Sequence, residues 1–165
     1  MEDYSDTDRI IKKLKEFDWL VFTSANAARF FFARLHINSN DTRSLSPVQV
    51  AAIGKTTAQR LTCFGIIADL VPEEESSAGL LEKFSRLEMS NKRVLLPQAN
   101  VASCELSEGL VKLGAKVEEI PVYMTIEIDP GDIDFDHIDS VLFTSGSTVQ
   151  AFVKKFGKLP QRIKA

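Results

Sequence analysis

Cysteine and histidine are scarce in this chain, with two of each in 165 residues. Cys63 and Cys104 are too few and too far apart for a metal knuckle or a disulfide framework. Each falls in a segment of helical period, so both are expected to be small core or half-buried residues. His36 and His137 stand alone, no GxSxG elbow occurs, and no cysteine has a base nearby, which leaves ordinary hydrolase chemistry without machinery. There is no GxGxxG fingerprint for a dinucleotide. The GKTT at Gly54 lacks the glycine a phosphate loop needs five residues earlier, where Gln49 stands. Basic charge is not in excess: 20 Lys and Arg face 23 Asp and Glu, for a net charge of -3. A phosphate backbone is therefore an unfavourable partner, and no nucleic acid is expected. No apolar run approaches the roughly 20 residues that span a bilayer, and the start, MEDYSDTDR, is acidic where a signal peptide is basic and then apolar. No membrane association is expected, and a cytoplasmic location is.

What is present is the composition of a globular protein, 44% apolar and 26% charged, enough for one good core. Short β-rich runs alternate with segments of helical period, the pattern of an open parallel sheet covered on both faces. The runs are Trp19 to Thr23, Val48 to Ile53, Ile67 to Val71, Arg93 to Leu96, Val117 to Val122 and Ser140 to Thr144. Between them, Asn26 to His36, Thr56 to Phe64, Ser77 to Leu87 and Ala102 to Leu113 carry apolar residues at three- and four-residue intervals, as crossover helices do. Ser5 to Lys15 reads as a further helix capped by Ser5, with Ile10, Ile11 and Leu14 on its buried side. Gly65 and Gly114 fall just past helix ends, and Ser76 or Ser77 can cap the helix that follows. Five strands with their helices, closing near Tyr123, predict a flavodoxin-like five-stranded parallel sheet. After Thr125, IEIDPGDIDFDHID is acidic and holds Pro130 and Gly131, so it reads as a solvated connector rather than a metal loop.

The chain also repeats itself. FDWLVFTSANAARFF from Phe17 matches IDSVLFTSGSTVQAF from Ile138, with Asp18, Phe22, Thr23, Ser24 and Phe31 answered by Asp139, Phe143, Thr144, Ser145 and Phe152. This predicts a lobe over 1–122, a connector over 123–137 and, over 138–165, an incomplete second lobe of the same type holding one strand-helix unit. A chance match of two short β-turn-α segments is the alternative.

Three segments put small polar residues where a strand hands over to a helix: FTSAN at Phe22, IGKTT at Ile53 and LLPQAN at Leu95. In a parallel sheet all three lie at the carboxyl edge, where open α/β folds bind ligands. Helix N-terminal amides with Ser and Thr hydroxyls receive carboxylates or phosphates, although Ser24, Thr56 and Thr57 could equally cap their own helices. Tyr123 ends the last strand, either as a core residue with a wet tip or as a phenol able to donate a proton.

Taken in order, FTSANAARFF, VAAIGKTTAQRL, ADLVPEEESSAGLLEKF, RVLLPQAN, LGAKVEEIPVYMT and the second FTSGSTVQAF resemble the uroporphyrinogen-III synthase family over nearly the whole chain. The resemblance implies two flavodoxin-like lobes joined by connector strands, with the substrate between them. It implies cyclisation of hydroxymethylbilane, a polycarboxylate, with inversion of the last pyrrole ring and loss of water, without metal or organic cofactor. Tyr123 matches the connector tyrosine that would assist departure of the hydroxyl. Thr57 matches a cleft-facing threonine, and Ser24 and Ser145 match the serines of the two FTS turns. The substrate-binding set implied is Thr23, Ser24, Ala25, Asn26, Gly54, Lys55, Thr56, Thr57, Gln98, Asn100, Thr144, Ser145, Gly146 and Ser147. Two departures stand out. Gln98, Ala99 and Ser103 replace an Arg-Gly pair and a further basic residue, and the family's opening strand and helix and the remainder of its second lobe have no counterpart. A monomer is expected of the full-length protein. This chain is expected to pair through Val141, Leu142, Phe143, Phe152, Val153 and Phe156, because such a patch marks an interface. The competing readings are a non-catalytic small-anion-binding or regulatory α/β domain and a protein-interaction module.

Overall fold

The computed structural model describes residues 4–126, 128–129, 131–143, 146–158 and 161–164. They form two compact units, Met1–Thr125 and Ile126–Ala165. In the first unit α1 (Ser5–Ile11) leads through a 3-10 turn (Leu14–Glu16) to β1 (Trp19–Phe22) and α2 (Ala25–Ile37). Then follow β2 (Gln49–Ala52), α3 (Lys55–Thr62), α4 (Ser77–Phe84), β3 (Arg93–Ala99), α5 (Glu105–Lys112) and β4 (Lys116–Tyr123).

The sheet is parallel with the order β2-β1-β3-β4. It has four strands, not the five expected. The run Ile67 to Val71 makes a single parallel bridge, Leu70 to Ala51 on β2. The cause is Asp69: its carboxylate accepts the Val50 amide at 2.7 Å, taking the place of the backbone carbonyl that a continuing strand would offer. Ile67, expected inside, is 85% exposed. The four strands that form follow the flavodoxin order, with β3 between β1 and β4; the Leu70 segment, counted as the third of the five expected strands, instead lies outside β2. Here β1 pairs directly with β3, and the Leu70 segment touches only the outer side of β2. β3 runs three residues past its expected end, through Pro97. That proline lies beyond the last β1 partner, Leu95, where a missing amide leaves no ladder bond unmade on that side.

Period-two alternation divides the core. Leu20 and Phe22 join Val50, Ala52, Leu95, Ile120 and Val122 beneath α1, α2 and α3. Trp19 and Val21 join Ala51, Val94 and Leu96 beneath α4 and α5. All four residues of β1 are buried, as expected of a strand covered on both faces. On the first side Phe31 meets Phe22 edge-on with centroids 5.5 Å apart, and Phe32 stacks on Phe64 at 4.5 Å. On the second side Trp19 meets Phe84 edge-on at 5.0 Å, and Gly109 of α5 lies so close to Leu81 of α4 that a methyl group there would collide with it.

Helix ends follow local chemistry, with corrections. Ser24 and Ser76 cap α2 and α4 by accepting the amides of Ala27 and Gly79, each at 3.0 Å. Gly65 and Gly114 turn the chain at φ +75° and +91°. Ser5 is the first helical residue and not the cap, a position held by Tyr4, and α1 stops at Ile11, before the 3-10 turn that buries Leu14. Cys63 and Cys104 are exposed, against expectation, because they fall at the C-cap of α3 and the N-cap of α5, off the buried stripes.

A charged clasp joins α1 to α2. The Asp8 carboxylate accepts Arg34 Nε at 2.6 Å and Asn38 Nδ2 at 2.7 Å. The Arg34 hydrogen bond is the main reason its carboxyl is held below the usual carboxylate range. A depressed folded value means that this stabilisation is present above the ordinary carboxylate pKa and disappears as pH falls through the folded one. Asp8→Asn is therefore expected to lower stability at pH 7 by about 1 kcal/mol. In urea titrations the gap from wild type should narrow as the pH falls below the ordinary carboxylate range.

In the second unit α6 (Gly146–Phe156) follows a 3-10 turn (Phe135–His137). The expected strand Ser140 to Thr144 is one parallel bridge, Ser140 to Lys164; Thr144 lies outside the described residues. Among the described residues that bridge is its one strand contact, and Leu142 is 88% exposed. The segment read as a solvated connector supplies Phe135, which meets Phe152 and Phe156 edge-on at 6.0 and 5.6 Å.

The two matching segments make like contacts, each within its own unit. The Gln49 amide donates to the Asp18 carbonyl at 2.9 Å, and the Lys164 amide donates to the matching Asp139 carbonyl at 3.2 Å. Phe22 meets Phe31 edge-on at 5.5 Å, and Phe143 meets Phe152 edge-on at 5.3 Å.

Candidate functional site

Four strands running in one direction deliver their last residues to one edge of the first unit. At the end of β1, Thr23 and Ser24 are half-buried, and Ala25 and Asn26 open α2. Ser24 is extended, as a cap must be, and its Oγ receives the Ala27 amide. The Ile53 amide donates to the Phe22 carbonyl at 2.9 Å, which ties the end of β2 to that of β1. Gly54 then occupies the cap position of α3 with no side-chain cap bond. Lys55 and Thr56 are exposed in the first turn, and Thr57 is buried. Capping is thus the structural role of Ser24, whereas Thr56 and Thr57 sit inside their helix. The Glu75 carboxyl lies against Gly54, where a Cβ would collide with it. That close approach is what demands glycine here, and it brings a negative charge to the start of α3.

At the end of β3, Gln98 is half-buried and Asn100 is exposed. The Asn100 amide donates to the Tyr123 carbonyl at 3.1 Å, and its Oδ1 accepts the Thr125 amide at 3.1 Å. Asn100 therefore holds the end of β4 as well as lining the edge.

Tyr123 owes its direction to a bulge. Pairing runs Gln98 to Pro121 and then Ala99 to Tyr123, which leaves Val122 as an extra residue in β4. Strict alternation would put Tyr123 on the face opposite Val122, but a bulge lets two successive side chains share a face. Both pack on the core beneath α2. The Tyr123 ring stacks on Phe30 of α2, with centroids 5.2 Å apart and planes 18° from parallel. Its Oη lies 3.5 Å from Ser24 Oγ, a contact in which either hydroxyl can donate. Arg29 places its guanidinium 4.9 Å from the Phe30 centroid.

The structure thus gathers Thr23 through Asn26, Gly54 through Thr57, Gln98, Asn100 and Tyr123 at one edge, with Ser24 and Tyr123 in direct contact. Gly146 and Ser147 are exposed at the first turn of α6 in the second unit, and Thr144 and Ser145 lie outside the described residues. Phe30, Arg29 and Glu75 belong to this edge and were not anticipated. A signal for Phe30 was available. Three phenylalanines in succession at 100° per residue cannot all face one core; Phe31 and Phe32 are fully buried and Phe30 is the one left over.

Chemically, the edge offers hydroxyl donors, helix amides, an amide side chain and a lysine, a set suited to carboxylates. Its phenol can give up a proton beside a serine able to hydrogen-bond the oxygen left behind.

Comparison with known proteins places the chain among relatives of one family. The family model described as "Uroporphyrinogen-III synthase HemD" matches residues 1–165. The uroporphyrinogen-III synthase of Synechococcus elongatus is 31% identical over 154 residues, covering 88% of this chain and 57% of the relative. A porphyrin biosynthesis protein HemD of Ruminiclostridium josui is 27% identical over 155 residues, covering 90% of this chain and 31% of the relative. The chain thus spans about a third to three-fifths of the length of these curated relatives. Among solved structures, a uroporphyrinogen-III synthetase from Helicobacter pylori superposes with a TM-score of 0.62 at 21% identity, covering 89% of this chain and 66% of that one. The Thermus thermophilus uroporphyrinogen III synthase gives 0.59 at 19%, covering 74% and 46%; at these identities the likeness is one of fold. Because the family model extends over the whole sequence, this chain belongs to the uroporphyrinogen-III synthase family.

Proposed function

We propose that this chain supplies one lobe, and the beginning of its repeat, of an enzyme that closes hydroxymethylbilane into the asymmetric macrocycle with loss of water. The observation that carries the reading is the Tyr123 phenol in contact with Ser24 at an edge rich in carboxylate-binding groups. Ser24 Oγ already accepts the Ala27 amide, so its own proton is available to Tyr123 Oη, and the phenol proton is directed outward. That proton passes to the terminal hydroxyl of the substrate. The carbon-oxygen bond breaks, water leaves, and the exocyclic carbon becomes the electrophile that the last pyrrole attacks through its substituted position. After rearrangement through a spirocycle, the proton released from the pyrrole carbon as the ring regains aromaticity restores the phenol. The sequence of steps is redox-neutral and calls for no cofactor. Thr23 through Asn26, Gly54 through Thr57, Gln98 and Asn100 hold the carboxylates. Gly146 and Ser147, with Thr144 and Ser145, do the same from the second FTS turn.

In this reading 1–122 is the complete lobe, 123–137 the connector and 138–165 the start of the second lobe. The enzyme works in the cytoplasm as a monomer at its natural length. The present chain pairs with a second copy through the apolar residues of its second unit, where Leu142 and, on α6, Val153 are exposed. The test is to incubate the protein at its natural length with hydroxymethylbilane and separate the products by isomer. Type III uroporphyrinogen formed faster than spontaneous closure is expected. Type I alone, at the uncatalysed rate, contradicts the proposal. A non-catalytic small-anion-binding or regulatory α/β domain is the second reading, favoured by the uncharged Gln98 and Ala99, which withhold the cations that a substrate of many carboxylates would draw on.

A further inference from the structure

The phenol of Tyr123 sits at the end of an edge strand yet meets a serine two strands away, across β3. A tyrosine side chain turns freely about two torsions, so the strand alone does not explain the meeting. Two features constrain it. The bulge at Val122 selects the face, and Phe30 selects the plane, because its ring lies nearly parallel to that of Tyr123 at 5.2 Å. Phe30 is itself held: α2 fixes its backbone one residue ahead of the buried pair Phe31 and Phe32, and the Arg29 guanidinium lies over its ring. Ser24, the target of the phenol, is immobilised by its capping bond.

We infer that Phe30, steadied by Arg29, is a positioning residue for Tyr123. It reaches the reaction only through that ring, and it sets the aim of the phenol rather than the affinity for substrate. The inference rests on the reading of Tyr123 as the proton donor. It also explains an otherwise costly choice, a half-buried phenylalanine on the first turns of a helix whose apolar stripe is complete without it. A displacement of about 1 Å at a reacting group can lower turnover by up to a hundredfold.

The experiment uses three variants of the natural-length protein, Phe30→Leu, Phe30→Trp and Tyr123→Phe, with ring-labelled tyrosine. The ring signal lost in Tyr123→Phe is that of Tyr123 itself, which assigns it; this chain contributes one other tyrosine, Tyr4. Phe30→Leu keeps apolar bulk but removes the flat face. It is expected to move the Tyr123 ring resonance and to lower kcat at least tenfold, with KM changing less than twofold. Phe30→Trp restores a face and should recover kcat to within about threefold of wild type. Two results overturn the inference: an unmoved Tyr123 resonance in Phe30→Leu, or a moved resonance with unchanged kcat. Wild-type turnover in Tyr123→Phe defeats instead the assignment of the proton donor. A Phe30→Leu protein that fails to fold is replaced by Phe30→Met, judged by the same two readouts.

Discussion

Tyr123→Phe is expected to lower the turnover of hydroxymethylbilane by the natural-length protein about 10²- to 10³-fold, the scale of a lost general acid, while substrate affinity stays within about threefold. The substitution removes one oxygen and leaves the ring on Phe30, so the stacked pair and the packing beneath α2 survive. The hydrogen bond surrendered is long, 3.5 Å to Ser24, and the residue is only half-buried. The unfolding free energy should therefore move by less than about 0.5 kcal/mol. Rate and stability separate cleanly in this variant. Single-turnover kinetics beside a urea titration measure both, and equal turnover in variant and wild type would remove the phenol from the mechanism.

The largest loss of stability is expected at Phe31. Its side chain is 0% exposed and meets Phe22 and Phe32 edge-on, each with centroids 5.5 Å away. Truncation to alanine removes an entire ring from between β1 and α2, in a region where strand and helix are both fixed by other contacts and cannot close the void. Phe31→Ala should cost about 3–5 kcal/mol, a large part of the roughly 5–15 kcal/mol that holds an ordinary domain together. The repeat supplies an internal control. Phe152 makes the matching edge contact with Phe143 but is half-buried, so Phe152→Ala should cost roughly 1–2 kcal/mol, in proportion to the apolar area removed from water. Equal losses at the two positions in urea denaturation would contradict this account of where the core lies.

Much of this architecture was readable in the residues, and the misreadings have physical causes. The residues mark α2 to within one residue at each end, because Ser24 signals its cap and its apolar stripe is dense. The expected fifth strand, Ile67 to Val71, does not form because hydropathy shows its apolar residues but not that the Asp69 carboxylate takes the Val50 amide. Amphipathic windows around Cys63 and Cys104 suggest core or half-buried residues, whereas their exposure follows from their standing at the helix ends themselves, as the C-cap of α3 and the N-cap of α5. The edge itself was legible, since strand-to-helix junctions in a parallel sheet must share one side. The contact between Ser24 and Tyr123 was not: alternation alone sends Tyr123 to the wrong face, and only the extra residue Val122 turns it back. Glu75 is adjacent to Gly54 through a loop whose path no local pattern records.

The most direct test of the site is where a polycarboxylate tetrapyrrole touches the lobe. Titrating the isotopically labelled chain with uroporphyrin III should shift the amides of Ser24, Asn26, Lys55, Thr56, Asn100 and Tyr123 saturably, leaving those of Leu45, Asn91 and Gly114, before the starts of the strands, where they were. Shifts gathered at Leu45, Asn91 and Gly114, with the Ser24 and Tyr123 amides unmoved, would place the ligand at the opposite edge and contradict the account.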